Sequence, residues 1–221
     1  MARLVAPSML SADFLHLEKD VDLVNREGDL FHLDIMDGTF VPNLSFGFPV
    51  VEAIARQSTR PLDVHLMIVH PEKYIPRFAK AGADLISFHL EAAQDDGNDP
   101  AEILRQIRAL GVKSGLAIDP DVPVEALFPY LEEADFVVIM SVFAGFGGQK
   151  FIEATYPRVE AVRAEIQRRG LPVQIEVDGG VGPDNADALA AAGADILVAG
   201  SSVFKAADPG ATIRRIRGQM M

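Results

Sequence analysis

Cysteine is absent from this 221-residue chain, which excludes disulfides, thiolate nucleophiles and zinc-thiolate sites and suits a reducing compartment. Positive charge is scarce: 20 Lys and Arg against 32 Asp and Glu leave a net charge of -12, a field that repels nucleic acid and anionic lipid. A phosphate-bearing ligand would have to be caught by local geometry instead. Cationic clusters are local only, such as Arg214, Arg215 and Arg217, which read as the solvated face of a last helix. No apolar run reaches the ~20 residues that span a bilayer, and Met1 to Pro7 lacks the apolar core and cleavage site of a leader. These absences predict a cytoplasmic protein with neither nucleic-acid nor membrane partners. The rest is ordinary globular composition, 49% hydrophobic and 24% charged, long enough for a large core and read as a single domain over 1–221.

Short apolar, β-favouring runs alternate with amphipathic helical stretches along the whole chain. The predicted strands are Val5 to Met9, Phe31 to Met36, Leu62 to Met67, Leu85 to His89, Ser114 to Ile118, Phe136 to Met140, Gln174 to Val177 and Ile196 to Ala199. Helices are predicted over Leu15 to Arg26, Val50 to Gln57, Glu72 to Ala81, Ala101 to Leu110, Val124 to Glu133 and Asn185 to Ala192. Asp13, Pro49, Pro71, Pro100, Pro123 and Asp184 open them. Gly28, Gly82, Gly111, Gly170 and Gly193 read as helix stops. Eight strand-helix units imply an α/β fold with a parallel sheet closed into a (β/α)8 TIM barrel. An open doubly wound sheet would carry a glycine fingerprint after its first strand, and Pro7-Ser8-Met9-Leu10-Ser11-Ala12-Asp13 has none. Two connections are long and glycine-bearing, Asp37 to Gly47 and Ser141 to Ala154, and are read as candidate lids.

Alternation along two similar runs is unusual. In FHLDIM, Leu33 and Ile35 share one face while His32, Asp34 and Met36 share the other; in LDVHLM, Val64 and Leu66 oppose Asp63, His65 and Met67. Apolar side chains facing outward to helices and polar ones inward suit a barrel with its chemistry inside. His32, Asp34, His65 and Asp178, which ends the seventh strand, would then converge on the axis. That mixed nitrogen and oxygen set suits zinc, iron(II), manganese(II) or cobalt(II). A single inward histidine would be a hydrogen-bonded core residue; four such groups ending three strands favour a divalent metal. Glycine loops after three neighbouring strands (Gly145-Phe146-Gly147-Gly148, Gly179-Gly180 and Gly200-Ser201) offer backbone amides to a phosphate without any basic side chain. Asp34 and Asp178 sit on nearly opposite staves, so a flat substrate between them would meet one carboxylate on each face. Metal, two bases and a phosphate grip together specify proton removal and return at the carbon beside a ketone of a sugar phosphate. His89-Leu90-Glu91 reads either as support for the metal site or as a structural pair. Glu176 is expected to be paired inside the barrel, and His16 and His70 to lie at the surface or in loops.

The runs PSMLSADF at 7–14, HLDIMDGTFVPN at 32–43, DVHLM at 63–67, GFGGQ at 145–149, VDGGV at 177–181 and VAGS at 198–201 closely resemble the ribulose-phosphate 3-epimerase family, in order and from end to end. The resemblance implies a ribulose-phosphate-binding barrel of the pentose phosphate pathway. Such an enzyme interconverts D-ribulose 5-phosphate and D-xylulose 5-phosphate by two-base 1,1-proton transfer through a metal-stabilised enediolate. It implies His32, Asp34, His65 and Asp178 as metal ligands and Asp34 and Asp178 as the acid/base pair. Ser8, Met36, Met67 and His65 would contact the substrate. Gly145, Phe146, Gly147, Gly148, Gly179, Gly180, Gly200 and Ser201 would hold its phosphate, and a homo-oligomer is expected. Two departures stand out. Phe143-Ala144 replaces a segment that usually ends in proline before Gly145, and Asp119 stands where asparagine is common. They keep D-allulose 6-phosphate open as an alternative substrate. A phosphate-binding barrel lyase would need a lysine two residues after Asp34, where Met36 stands; a non-catalytic sugar-phosphate sensor would not need the intact base pair.

Overall fold

The computed structural model describes residues 3–95 and 97–219. Met1 and Ala2 of the stretch examined for a leader lie outside the described residues. Eight strands are all parallel to their neighbours: β1 Leu4–Pro7, β2 Phe31–Met36, β3 Leu62–Met67, β4 Leu85–His89, β5 Lys113–Ile118, β6 Phe136–Met140, β7 Gln174–Asp178 and β8 Ile196–Ala199. The sheet runs β1-β8-β7-β6-β5-β4-β3-β2, and a parallel bridge between Ser8 and His32 brings its two edges together. This is the (β/α)8 barrel that the alternation predicts. The first strand ends sooner than expected, at Pro7, because Met9–Ser11 turns into a 3-10 segment. The seventh extends one residue further, to Asp178.

The helices around the barrel are α1 Leu17–Glu27, α2 Phe48–Gln57, α3 Ile75–Ala81, α4 Leu90–Asp95, α5 Pro100–Ala109, α6 Thr155–Arg169, α7 Ala186–Ala192, α8 Ser201–Phe204 and α9 Pro209–Arg217. Two expectations need correction, both because of proline. The helix expected over Glu72 to Ala81 splits into a 3-10 turn, Pro71–Lys73, and α3, since Pro76 has no N–H and suits only a helix's first turn. The helix expected over Val124 to Glu133 is a 3-10 segment, Val124–Tyr130, with Pro129 inside it. Gly28 does not cap α1 in a left-handed conformation, because its φ is -80°. The arginines of α9 are not simply solvated: Arg214 pairs with Glu27 at 2.7 Å and Arg217 with Asp29 at 2.9 Å, tying the last helix to the end of the first unit.

Outward-facing Leu33, Ile35, Val64 and Leu66 are buried beneath the helices. Inside, Ala6, Leu85, Phe136, Val138, Ile196 and Val198 form a separate apolar cluster. Gly115 on β5 makes room for it: a Cβ there would lie 2.3 Å from the Phe136 ring. Polar side chains of β2, β3, β4 and β7, among them His32, His65, His89 and Glu176, occupy another part of the interior.

Candidate active site

His32 and Asp34 are two residues apart on β2, so the pleat turns both inward. The parallel register sets His32 beside Asp63 and Asp34 beside His65 across to β3, and Asp178 ends β7. His32 Nε2 lies 3.3 Å from Asp34 Oδ1 and 3.6 Å from Asp178 Oδ2; His65 Nδ1 lies 3.7 Å and 3.5 Å from the same two oxygens. One donor atom from each of the four residues falls within 4.8 Å of all the others, and both histidines are fully buried. Neither His32 Nε2 nor His65 Nδ1 has a hydrogen-bond partner. A buried ring nitrogen without a partner is costly unless something else occupies its lone pair, so the four residues fit a divalent metal both in donor chemistry and in what they leave unsatisfied.

The electrostatics follow from four titratable groups packed together. Burial alone would push the His32 imidazole down, but the Asp34 and Asp63 carboxylates outweigh it and hold it well above the ordinary histidine value. Burial acts likewise on His65, and the facing Asp178 and Asp34 carboxylates push it up to about 9. Asp34 and Asp178 are raised by burial and lowered more strongly by the two imidazoles, so both lie below the usual carboxylate range. Glu176 is also fully buried, 3.5 Å from His32 Nδ1; burial and then the Asp63 carboxylate hold it well above the ordinary value.

Above the carboxylates lies a small pocket, open to solvent at its mouth. Ser8, Asp34, Met36, Met67 and Asp178 line its floor and walls; Gly145, Phe146, Gly147, Gly148, Gly179, Gly180, Gly200 and Ser201 line its rim. Every residue expected from the sequence to touch substrate or phosphate is thus gathered there except His65, which is buried behind Asp34 and Asp178. No Lys or Arg is among the lining residues, so a phosphate in this pocket would meet backbone amides rather than basic side chains. Ser8 Oγ donates to Asp34 Oδ2 at 2.6 Å and so orients one carboxylate. The two long loops meet over the pocket, where Asn43 Nδ2 donates to the Gly145 carbonyl at 2.9 Å. Gln149 braces the second loop from within by donating to the carbonyls of Phe143 and Phe146.

Sequence reasoning gave no role to Asp63. Its Oδ2 lies 2.6 Å from His32 Nδ1 and accepts that nitrogen's hydrogen, which turns Nε2 toward the cluster as the nitrogen that can bind a metal once it is deprotonated. The signal was present: Asp63 shares the inward face with His65 and stands in register with His32. Met140, another pocket-lining residue missed, also follows from inward alternation along β6.

A family model described as the ribulose-phosphate 3 epimerase family matches residues 4–204. A ribulose-phosphate 3-epimerase from Bacillus subtilis is 44% identical over 216 residues, covering 97% of this chain and 98% of its own length. The cytoplasmic isoform from Oryza sativa subsp. japonica is 43% identical over 217 residues, covering 96% and 92% respectively. Among solved structures, 3-hexulose-6-phosphate synthase from Salmonella typhimurium aligns over 98% of this chain and 97% of its own, with a TM-score of 0.71 at 16% identity, a likeness of fold alone.

Proposed function

The chain belongs to the ribulose-phosphate 3-epimerase family, and from that premise we propose which of its residues invert the stereocentre at carbon 3 as D-ribulose 5-phosphate and D-xylulose 5-phosphate interconvert. The observation that carries the reading is the convergence of His32, Asp34, His65 and Asp178 beneath a pocket rimmed by three glycine loops. Those four residues would hold one divalent ion (zinc, iron(II), manganese(II) or cobalt(II)), which supplies positive charge where the two neighbouring substrate oxygens become negative.

Asp34 and Asp178 perform the proton chemistry. One carboxylate takes the proton from carbon 3 on its face of the planar intermediate, and the carboxyl opposite returns a proton to the other face; the reverse reaction exchanges their roles. Ser8 keeps Asp34 oriented through its hydrogen bond. Met36 and Met67 present an apolar, polarizable wall that keeps water from the enediolate. Amides of the loops at Gly145 to Gly148, Gly179, Gly180, Gly200 and Ser201 hold the phosphate. Incubation with ribulose 5-phosphate in deuterium oxide will exchange the hydrogen on carbon 3; no exchange with any of the four metals supplied would refute the proposal.

D-allulose 6-phosphate is a second substrate reading, favoured by Phe143, which lines the pocket on the departing loop and is 49% exposed. The ratio of kcat/KM on the two ketose phosphates decides between them. No helix among the described residues is long and apolar enough to cross a membrane. The lack of cysteine and the cytoplasmic rice relative support a cytoplasmic location. Exposed Phe14, Leu15, Leu44 and Tyr74 support assembly into a homo-oligomer, to be tested by light scattering after gel filtration.

A further inference from the structure

The end of β4 carries a buried group that the proton chemistry does not use. His89 is fully buried, and its Nε2 lies 3.0 Å from His65 Nε2, with the two rings 12° from parallel. On its other side, His89 Nδ1 faces Glu91 Oε2 at 3.7 Å, and neither atom has a closer partner. The second oxygen of Glu91 accepts the backbone N–H of Asp119 at 2.8 Å.

The direction of this chain follows from counting protons. Two ring nitrogens 3.0 Å apart share a single hydrogen, so one donates and the other is bare. For His65 to ligate through Nδ1, the nitrogen that faces Asp34 and Asp178, its own hydrogen must be on Nε2. His89 must then accept on a bare Nε2 and carry its hydrogen on Nδ1. That hydrogen faces Glu91 Oε2 across 3.7 Å, and a carboxylate can only accept. Each step leaves one arrangement. His32 is served by a carboxylate directly, through Asp63, whereas His65 reaches its carboxylate through a second imidazole.

We infer that His89 and Glu91 are positioning residues that hold His65 in the tautomer and ring orientation needed to bind metal. The inference rests on the metal reading above, and its test separates the two. Protein stripped by a chelator is titrated with zinc against a chromophoric competitor, for the wild type and for Glu91→Gln, His89→Ala and His89→Gln. Glutamine at 91 keeps the volume but offers one acceptor where two are needed, so either the Asp119 N–H or the His89 Nδ1–H loses its partner. Zinc affinity is expected to fall roughly 10- to 100-fold in Glu91→Gln and His89→Ala, while His89→Gln, whose amide oxygen can accept the same N–H, recovers most of the loss. Ring-15N spectra of the zinc-loaded wild type will show His89 protonated at Nδ1 and bare at Nε2, a signature that a merely structural role would not require. Affinities in Glu91→Gln and His89→Ala within about twofold of wild type, or a His89 proton on Nε2, overturn the inference and leave the metal site standing. A wild type that takes up no zinc overturns the metal reading and this inference with it.

Discussion

Asp119 Oδ1 accepts a hydrogen bond from the backbone N–H of Ala144 at 3.1 Å, joining the end of β5 to the glycine loop over the pocket. The two residues are also where the resemblance to the family led to a different expectation, an asparagine at 119 and a proline at 144, and the bond links the two positions. A proline at 144 would have no N–H to give; an alanine has one, and a carboxylate stands where it can accept. Asp119→Ala is expected to loosen the loop and raise KM roughly 2- to 10-fold, the worth of one hydrogen bond, with little change in kcat. Asp119→Asn keeps an accepting oxygen and stays near wild type. Equal KM values in all three proteins would show that the bond does not order the loop.

Asp178→Asn and Asp34→Asn preserve shape and one oxygen donor but remove a base. Each is expected to lower kcat by at least ~100-fold, the lower end of what a positioned acid or base contributes. Zinc content measured alongside separates a lost base from a lost ligand. In deuterium oxide the wild type will place deuterium in product ahead of recovered substrate, because the group that removes the proton is not the one that delivers its replacement. A metal-replete Asp178→Asn enzyme with near-full turnover contradicts the two-base scheme.

The histidines impose a pH signature on the metal-free protein. His65 is raised from 6.5 to about 9, so its stabilising contribution is complete below pH 6.5 and is lost as pH rises through about 9. His32 acts in the same sense. Asp34 and Asp178 are lowered from 3.8, so their contribution is present above pH 3.8 and is lost as pH falls through their folded values. The Tm of chelator-treated protein, after allowance for the other groups by a His65→Gln control, should decline between pH 6.5 and 9. Zinc should abolish that decline, because the ion takes the place of the protons. Calorimetry with identical alkaline slopes with and without zinc would count against the cluster as the metal site.

Strand positions were legible because a period of two in β2 and β3 separates His and Asp from Leu, Ile and Val without ambiguity; that alternation placed His32, Asp34 and His65, while Asp178 followed from its position at the end of the seventh strand. The helices were less legible where proline carries two meanings. At Pro49 and Pro100 it opens a helix, whereas Pro76 and Pro129 shorten or tighten one, and only the packing shows which applies. The support of each histidine was harder still. Asp63 could be reached through register, whereas His89 was legible only as one of two alternatives, because register sets His65 beside Ser87 and the contact with His89 runs diagonally across the two strands.

Gly180 provides the sharpest test of the phosphate rim. Its φ is +61°, and a Cβ there would lie 2.7 Å from Phe151 N and 2.9 Å from Phe151 Cα, backbone atoms that cannot swing aside. The turn cannot relax by itself, since Asn185 Nδ2 donates to the Gly180 carbonyl and Asn185 Oδ1 accepts from Gly182 N. Gly180→Ala should therefore cost ~1–3 kcal/mol of stability from the left-handed conformation alone. The clash should also push the amides of the β7 loop away from the pocket, raising KM far more than it lowers kcat, because Asp178 stays anchored in the β7 ladder. Gly47 is the control: its φ is -125° and a Cβ would meet nothing within 4 Å, so Gly47→Ala should stay within ~0.5 kcal/mol of wild type with unchanged kinetics. If the two alanines behave alike in thermal unfolding and in KM, the loop after β7 does not hold the phosphate.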